Sequence, residues 1–285
     1  MLTATSNSWV LGLLEDGVKF WGSMLNEIWS LLGVAPEEFK DGAIWRIMVN
    51  INDGIKYIAY SLLVIFFGIG LIKTCMNLEE LKRPEVAVKY FIRYILTKTA
   101  ITGVMSLMNA VFSIVQLIVD NVIEISGLQG RQLGGMTVPD AVKEACADAG
   151  FWESIPLWLL ALLGTIVIIV ISLIAVMSVY SRFFKIYLYT AIAPIPLSAF
   201  AGEPTQGTGW QFVKSYIGVC LEGAVIALAA VIYSYFATSN DLLNLFGDSN
   251  AQIILGYIVE LVFNMLVFLG IVKLSSRLIH EIFGL

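Results

Sequence analysis

The stretch YTAIAPIPLSAF, residues 189–200, decides how this chain is folded. Pro194 and Pro196 lie in a segment as apolar as a membrane span, yet proline removes a backbone donor and clashes with the preceding helical turn. In lipid, such a segment is either a broken helix shielded by protein or no span at all. Charge on either side separates the two, because basic residues in short connections mark the cytoplasmic face. If 186–201 crossed the membrane, Lys214, Lys273 and Arg277 would lie outside, and the acidic connection with Asp241 and Asp248 inside. If the segment leaves and returns on one side, Arg182, Lys185, Lys214, Lys273 and Arg277 all become cytoplasmic. The second arrangement is expected, with 186–201 as a Pro-broken re-entrant or interfacial segment.

The surrounding chain fits a membrane. Of 285 residues, 58% are hydrophobic and 14% charged, against about 25% charged in soluble domains; the mean hydropathy is +0.84. Residues 155–180 hold no charge and exceed the ~20 residues that cross a hydrocarbon core. Further spans are expected at 55–75, 100–119, 217–237 and 252–272, giving an all-α, polytopic chain of about five spans. Residues 1–54 read as an extracytoplasmic amphipathic region and 55–285 as the transmembrane domain. The connection after the first span carries Lys73, Lys82, Arg83, Lys89, Arg93 and Lys98 and belongs inside, whereas only Arg131 and Lys143 stand among the acids of 120–154. The first 54 residues hold seven acids and three bases, so the N-terminus is expected outside and the C-terminus in the cytoplasm. No basic stretch precedes the first apolar residues, so the spans themselves are expected to target the protein. After Pro84, a helix is expected to run unbroken over 85–119, about 52 Å at ~1.5 Å per residue. Its first half would project from the bilayer or lie along its surface, with Glu85 facing Lys89 at i,i+4.

Several features carry candidate chemistry. Val10, Leu13, Leu14, Trp21, Leu25, Ile28 and Leu32 recur at helical spacing, and Trp9, Trp21 and Trp29 suit the headgroup layer. That helix reads either as interfacial or as a docking helix for an extracytoplasmic partner. Glu222 and Glu260 fall inside the fourth and fifth spans, with Asn264 one turn after Glu260. Ionisable groups at membrane depth are costly and point to function. Here they read either as neutral carboxyls bonding between helices, beside the small residues Gly223, Ala227 and Ala230, or as a polar path. Cys75, Cys146 and Cys220 stand far apart with no CxxC pair, which argues against a metal site. GLQGRQLGG, 127–135, lacks the Lys and Ser or Thr of a phosphate loop and reads as an external loop. The single histidine, His280, lies in the tail, and no nucleophile, base and orienting group come together, so no enzyme, cofactor or metal is expected. The basic connection touches anionic headgroups, an acidic partner or a nucleic-acid backbone.

The stretch YSRFFKIYLYTAIAPIPLSAFAGEPTQGTGWQFVKSYIGVCLEGAVIAL, 180–228, resembles the core of the TrbL-like family, the polytopic inner-membrane subunits of type IV secretion and conjugation machines. The shared elements are the basic-aromatic step from Arg182 to Lys185, the Ala-Pro-Ile-Pro segment, a small polar turn over 203–209, and an aromatic-Lys entry into a long helix. The resemblance implies a non-catalytic subunit in the translocation path for DNA or protein across the bacterial cytoplasmic membrane. It implies partners too: other secretion-machine membrane subunits and ATPases, the bilayer, the transferred DNA or protein in transit, and further copies of the chain. A rival reading is a small-molecule or ion transporter with a mid-membrane site at the broken helix. That class is expected to show an inverted repeat, and none is visible.

Overall fold

The computed structural model describes residues 8–76, 84–126, 137–148, 151–239, 247 and 249–284. The glycine-rich stretch 127–135, and with it Lys82, Arg83, Arg131, Asp241 and Asp248, lies outside the described residues. The chain forms α1 (Ser8–Leu32), α2 (Ala43–Cys75), α3 (Pro84–Thr102), α4 (Val104–Ile125), α5 (Asp140–Asp148), α6 (Phe151–Ile192), α7 (Pro194–Ser198), α8 (Gln206–Ser239) and α9 (Asn250–Phe283), with 3₁₀ turns at Phe39–Gly42 and Ala199–Ala201. No strand occurs among the described residues. Five helices are long and apolar enough to cross a membrane: Phe39–Cys75, Val104–Ile125, Ser154–Ile192, Gln206–Ala237 and Asn250–Phe283. This is the expected all-α, five-span chain. The most apolar stretch of the first span is only 17% buried and that of the fourth 61%, so α2 offers most of its side chains outward and α8 is enclosed by protein.

The chain divides into two compact units, 1–33 with 119–180 and 225–275, and 34–118 with 181–224 and 276–285. In the first unit, α1 buries the stripe anticipated from its spacing. Trp21 is fully enclosed, with its indole Nε1 donating to the Tyr233 hydroxyl at 3.0 Å and its ring edge-on to Phe268 at 5.8 Å. Trp21 thus fills a core, while Trp9 stays 48% exposed. Close helix approach explains the small residues here. A Cβ on Gly164 of α6 would sit 2.8 Å from Ile258 Cγ2 of α9, and Thr165 Oγ1 reaches the Leu13 carbonyl of α1 at 3.1 Å.

In the second unit the core gathers Leu63 of α2, Ile101 of α3, Met108 and Phe112 of α4, Leu197 of α7 and Tyr216 of α8. The helix expected to run unbroken over 85–119 is instead divided at Gly103, which forms a one-residue turn between α3 and α4. Hydrogen bonds from Gly103 N to Thr99 O and from Leu107 N to Gly103 O carry the axis through that point, and α4 runs on to Ile125. α3 packs on α2 and α7. Lys89 makes no ion pair with Glu85. The 34–42 connection docks on α6: the Tyr187 hydroxyl donates to the Pro36 carbonyl at 2.9 Å, and Phe39 stacks on Phe183 at 4.5 Å. Gly42, at φ 67, makes the left-handed step that a Cβ would block, since it would fall 2.6 Å from Glu37 O.

Residues 186–201 are not a separate span. They form the last turns of α6, then α7 and the 3₁₀ turn, and the chain turns at Gly202 before α8 begins at Gln206. Ala193 stays in the right-handed helical region (φ −49, ψ −37), and Leu197 N donates to its carbonyl at 3.2 Å. The prolines therefore cost hydrogen bonds more than direction.

Candidate functional site

Pro194 has no N–H to give the carbonyl of Thr190, four residues back. Asn52 of α2, fully buried, supplies it, with Nδ2 2.6 Å from Thr190 O. Pro196 likewise orphans the carbonyl of Ile192, whose side chain is 47% exposed. A buried asparagine of another helix thus completes a backbone that the proline left open, as burial of a peptide carbonyl requires.

One to two turns earlier on α6 stand Arg182 and Lys185. Lys185 Nζ lies 2.9 and 3.2 Å from the two carboxylate oxygens of Glu222 on α8, and 3.4 Å from Ser276 Oγ. Glu222 is buried, whereas the Lys185 side chain keeps 39% of its surface exposed. The Glu222 carboxyl thus meets Lys185 across the contact of α6 with α8. Arg182 is fully buried, and among the described residues none of its three guanidinium nitrogens has a hydrogen-bond partner. Its head lies over the Phe112 and Phe183 rings at 5.9 and 5.7 Å, among Cys220, Glu222 and Tyr216. It lies against Gly223, where a Cβ would collide with Nη1. Glu222 therefore bonds Lys185, and Arg182 lies beside that pair without a hydrogen bond to it. A buried guanidinium without hydrogen bonds keeps most of its desolvation cost, several kcal/mol on general scales, and cation–π contacts of about 1–2 kcal/mol offset only part of it.

Of the residues singled out in the sequence, Arg182, Lys185 and Glu222 meet, and Pro194 and Pro196 lie on the adjoining α6–α7 junction of the same unit. Glu260, half-buried, and Asn264, 3% exposed, belong to the other unit. Sequence reading missed Asn52, because the first span was begun at 55 and the apolar helix starts at Ala43. It also missed Tyr216, whose hydroxyl donates to Met108 O at 3.1 Å.

A second polar cluster closes the junction of α2, α3 and the turn after α7. The Tyr90 hydroxyl donates to Glu203 Oε2 at 3.0 Å and accepts from Thr74 at 2.6 Å, and burial holds its phenol above the ordinary value. Among the described residues no group of three or more metal-ligating side chains occurs.

A helical chain with five apolar spans and charged side chains buried in one of its units is a multi-pass membrane protein with a polar interior. More particularly, the chain belongs to the TrbL/VirB6 plasmid conjugal transfer-like family, whose model matches residues 23–194. It is accordingly a component of a conjugal-transfer or type IV secretion apparatus, a setting that implies contact with other components of that apparatus. No curated protein and no solved structure shows significant similarity to it.

Proposed function

We propose that the chain is a channel or scaffold subunit contributing to the path by which DNA or protein crosses the bacterial cytoplasmic membrane. In this reading its N-terminus is outside and its C-terminus cytoplasmic, and it acts with copies of itself, other membrane subunits and the ATPases of the machine, without catalysis of its own. The observation that carries the reading is Arg182, a fully buried cation with no hydrogen bond beside the Lys185–Glu222 pair. A helix bundle that only filled lipid would gain stability by replacing that arginine with an apolar residue. Its presence supports a packing that changes during work, with the carboxylate or an incoming anionic group shared between the two cations. The transporter reading needs unwound backbone at the break to hold an ion, and Ala193 is helical, with the Thr190 carbonyl already engaged.

Arg182→Leu tests this. The expected outcome is normal accumulation in the membrane, because an unpaired charge is removed, together with a loss of substrate transfer of at least about 100-fold, the factor that ~2.7 kcal/mol of lost function represents. Full transfer by the Leu variant would remove the cluster from the mechanism.

A further inference from the structure

Beside the Tyr90 cluster, within the second unit, α3 and the start of α8 enclose a groove of about 430 Å³. Its walls are Lys89, Ile92, Arg93 and Leu96 on one face of α3, with Phe200 and Trp210 opposite. We propose that this groove is a binding site for an anionic phospholipid, its phosphate at Lys89 and Arg93 and its acyl chain along Leu96 and Trp210. This assignment does not depend on how the protein moves its substrate.

Polarity along the groove argues for an amphiphile. Lys89 and Arg93, one turn apart, stand at the N-terminal end of the α3 face, and Leu96 and Ala100 follow on the same face. Lys89 is exposed and makes no ion pair among the described residues. Arg93 Nη2 donates to Gln206 Oε1 at 3.1 Å, and its guanidinium lies over the Tyr90 ring at 6.0 Å. That fixes the head yet leaves other N–H groups for a phosphate. The apolar wall is open: Ile92, Leu96 and Trp210 are 52%, 64% and 57% exposed. Its shape is built in, since Phe200 meets Trp210 edge-on at 5.4 Å and a Cβ on Gly209 would fall 2.8 Å from the Phe200 ring.

Position supports the same ligand. Gln206 opens the fourth span and α3 leads directly into the second, so the cationic end of the groove lies at the level where spans begin. Tryptophan and basic side chains at that level face headgroups, and basic pockets between helix ends hold anionic ones.

The test uses the purified full-length protein in mixed micelles. Bromine-labelled phosphatidylglycerol or phosphatidylcholine is titrated, and the quenching attributable to Trp210 is taken as the difference between wild type and Trp210→Phe. Phosphatidylglycerol should half-saturate that signal at about a tenth of the phosphatidylcholine fraction, given two cations near the headgroup. Lys89→Gln with Arg93→Gln should abolish this preference. Leu96→Phe, which fills the groove and leaves both cations without adding a fluorophore, should abolish quenching of Trp210 and guards against misfolding of the charge variant. Equal quenching by the two lipids overturns the proposal. So does equal competition by free glycerol phosphate, which would make this a phosphate site, or a change in oligomer mass on Leu96→Phe with lipid quenching intact, which would make it a contact between copies.

Discussion

Asn52 and Pro194 are separated by almost half the chain and answer one hydrogen-bond requirement, that of the Thr190 carbonyl. Removing the donor by Asn52→Ala should cost about 1–3 kcal/mol, the usual penalty for a buried acceptor left without a partner. Pro194→Ala returns an N–H to the helix, so the double variant should recover at least half of that loss in thermal unfolding of the detergent-solubilised protein. Simple additivity of the two changes would show that the asparagine does not stand in for the hydrogen bond the proline removes. At this scale the sequence announces that Glu222, Arg182 and Lys185 matter, because ions in apolar helices are costly. It does not announce that Glu222 pairs with Lys185, 37 residues away, while Arg182 goes without. That choice depends on how each helix is rotated about its axis, which Gly223 settles by admitting the guanidinium.

The proline-containing element is short, and its neighbours hold it. α7 packs on α2 and α3, with Pro194, Leu197 and Ser198 buried, and the turn behind it is pinned where Gly202 meets α2. A Cβ there would lie 2.6 Å from the Phe66 carbonyl oxygen and 2.8 Å from Thr205 Oγ1. Gly202→Ala must therefore push the turn off α2 at a cost of about 1–3 kcal/mol, the range for an overpacked site. The expected readout is faster protease cleavage within 202–206, with cleavage elsewhere unchanged. Equal cleavage rates would mean that the turn is not held by this contact. Two prolines in an apolar run correctly signalled an interruption. That the backbone would stay helical through Ala193 was not legible, since it rests on a donor from another helix and on burial among α2 and α3.

For the whole molecule, the orientation proposed from charge makes a direct prediction. Among the native thiols only Cys75 is exposed, so Cys75→Ser gives a quiet background. Cys146 is buried and its thiol pushed up to about 11 by desolvation, so it stays protonated at pH 7, while Cys220 is buried in a span. Single cysteines introduced at exposed positions of 137–148 should then react with an impermeant maleimide added to intact cells, and those at exposed positions of 203–213 should not. Labelling of 203–213 from outside would overturn the orientation.

The sequence by itself determined that the chain is helical, that about five of its segments are long and apolar enough to cross a membrane, and that the proline pair interrupts an apolar run. Those properties are local or summed: an apolar run of sufficient length, and a residue that cannot donate its backbone hydrogen bond. The tertiary structure alone decided that Trp21 belongs to a core, that the α3–α4 axis is divided at Gly103, and that Asn52, Arg182 and Tyr216 join the polar interior. The physical reason is that hydropathy fixes whether a helix enters the membrane but leaves its rotation free. Rotation is set by close contacts such as Gly164 on Ile258 and Gly223 on Arg182, made between residues far apart in the chain.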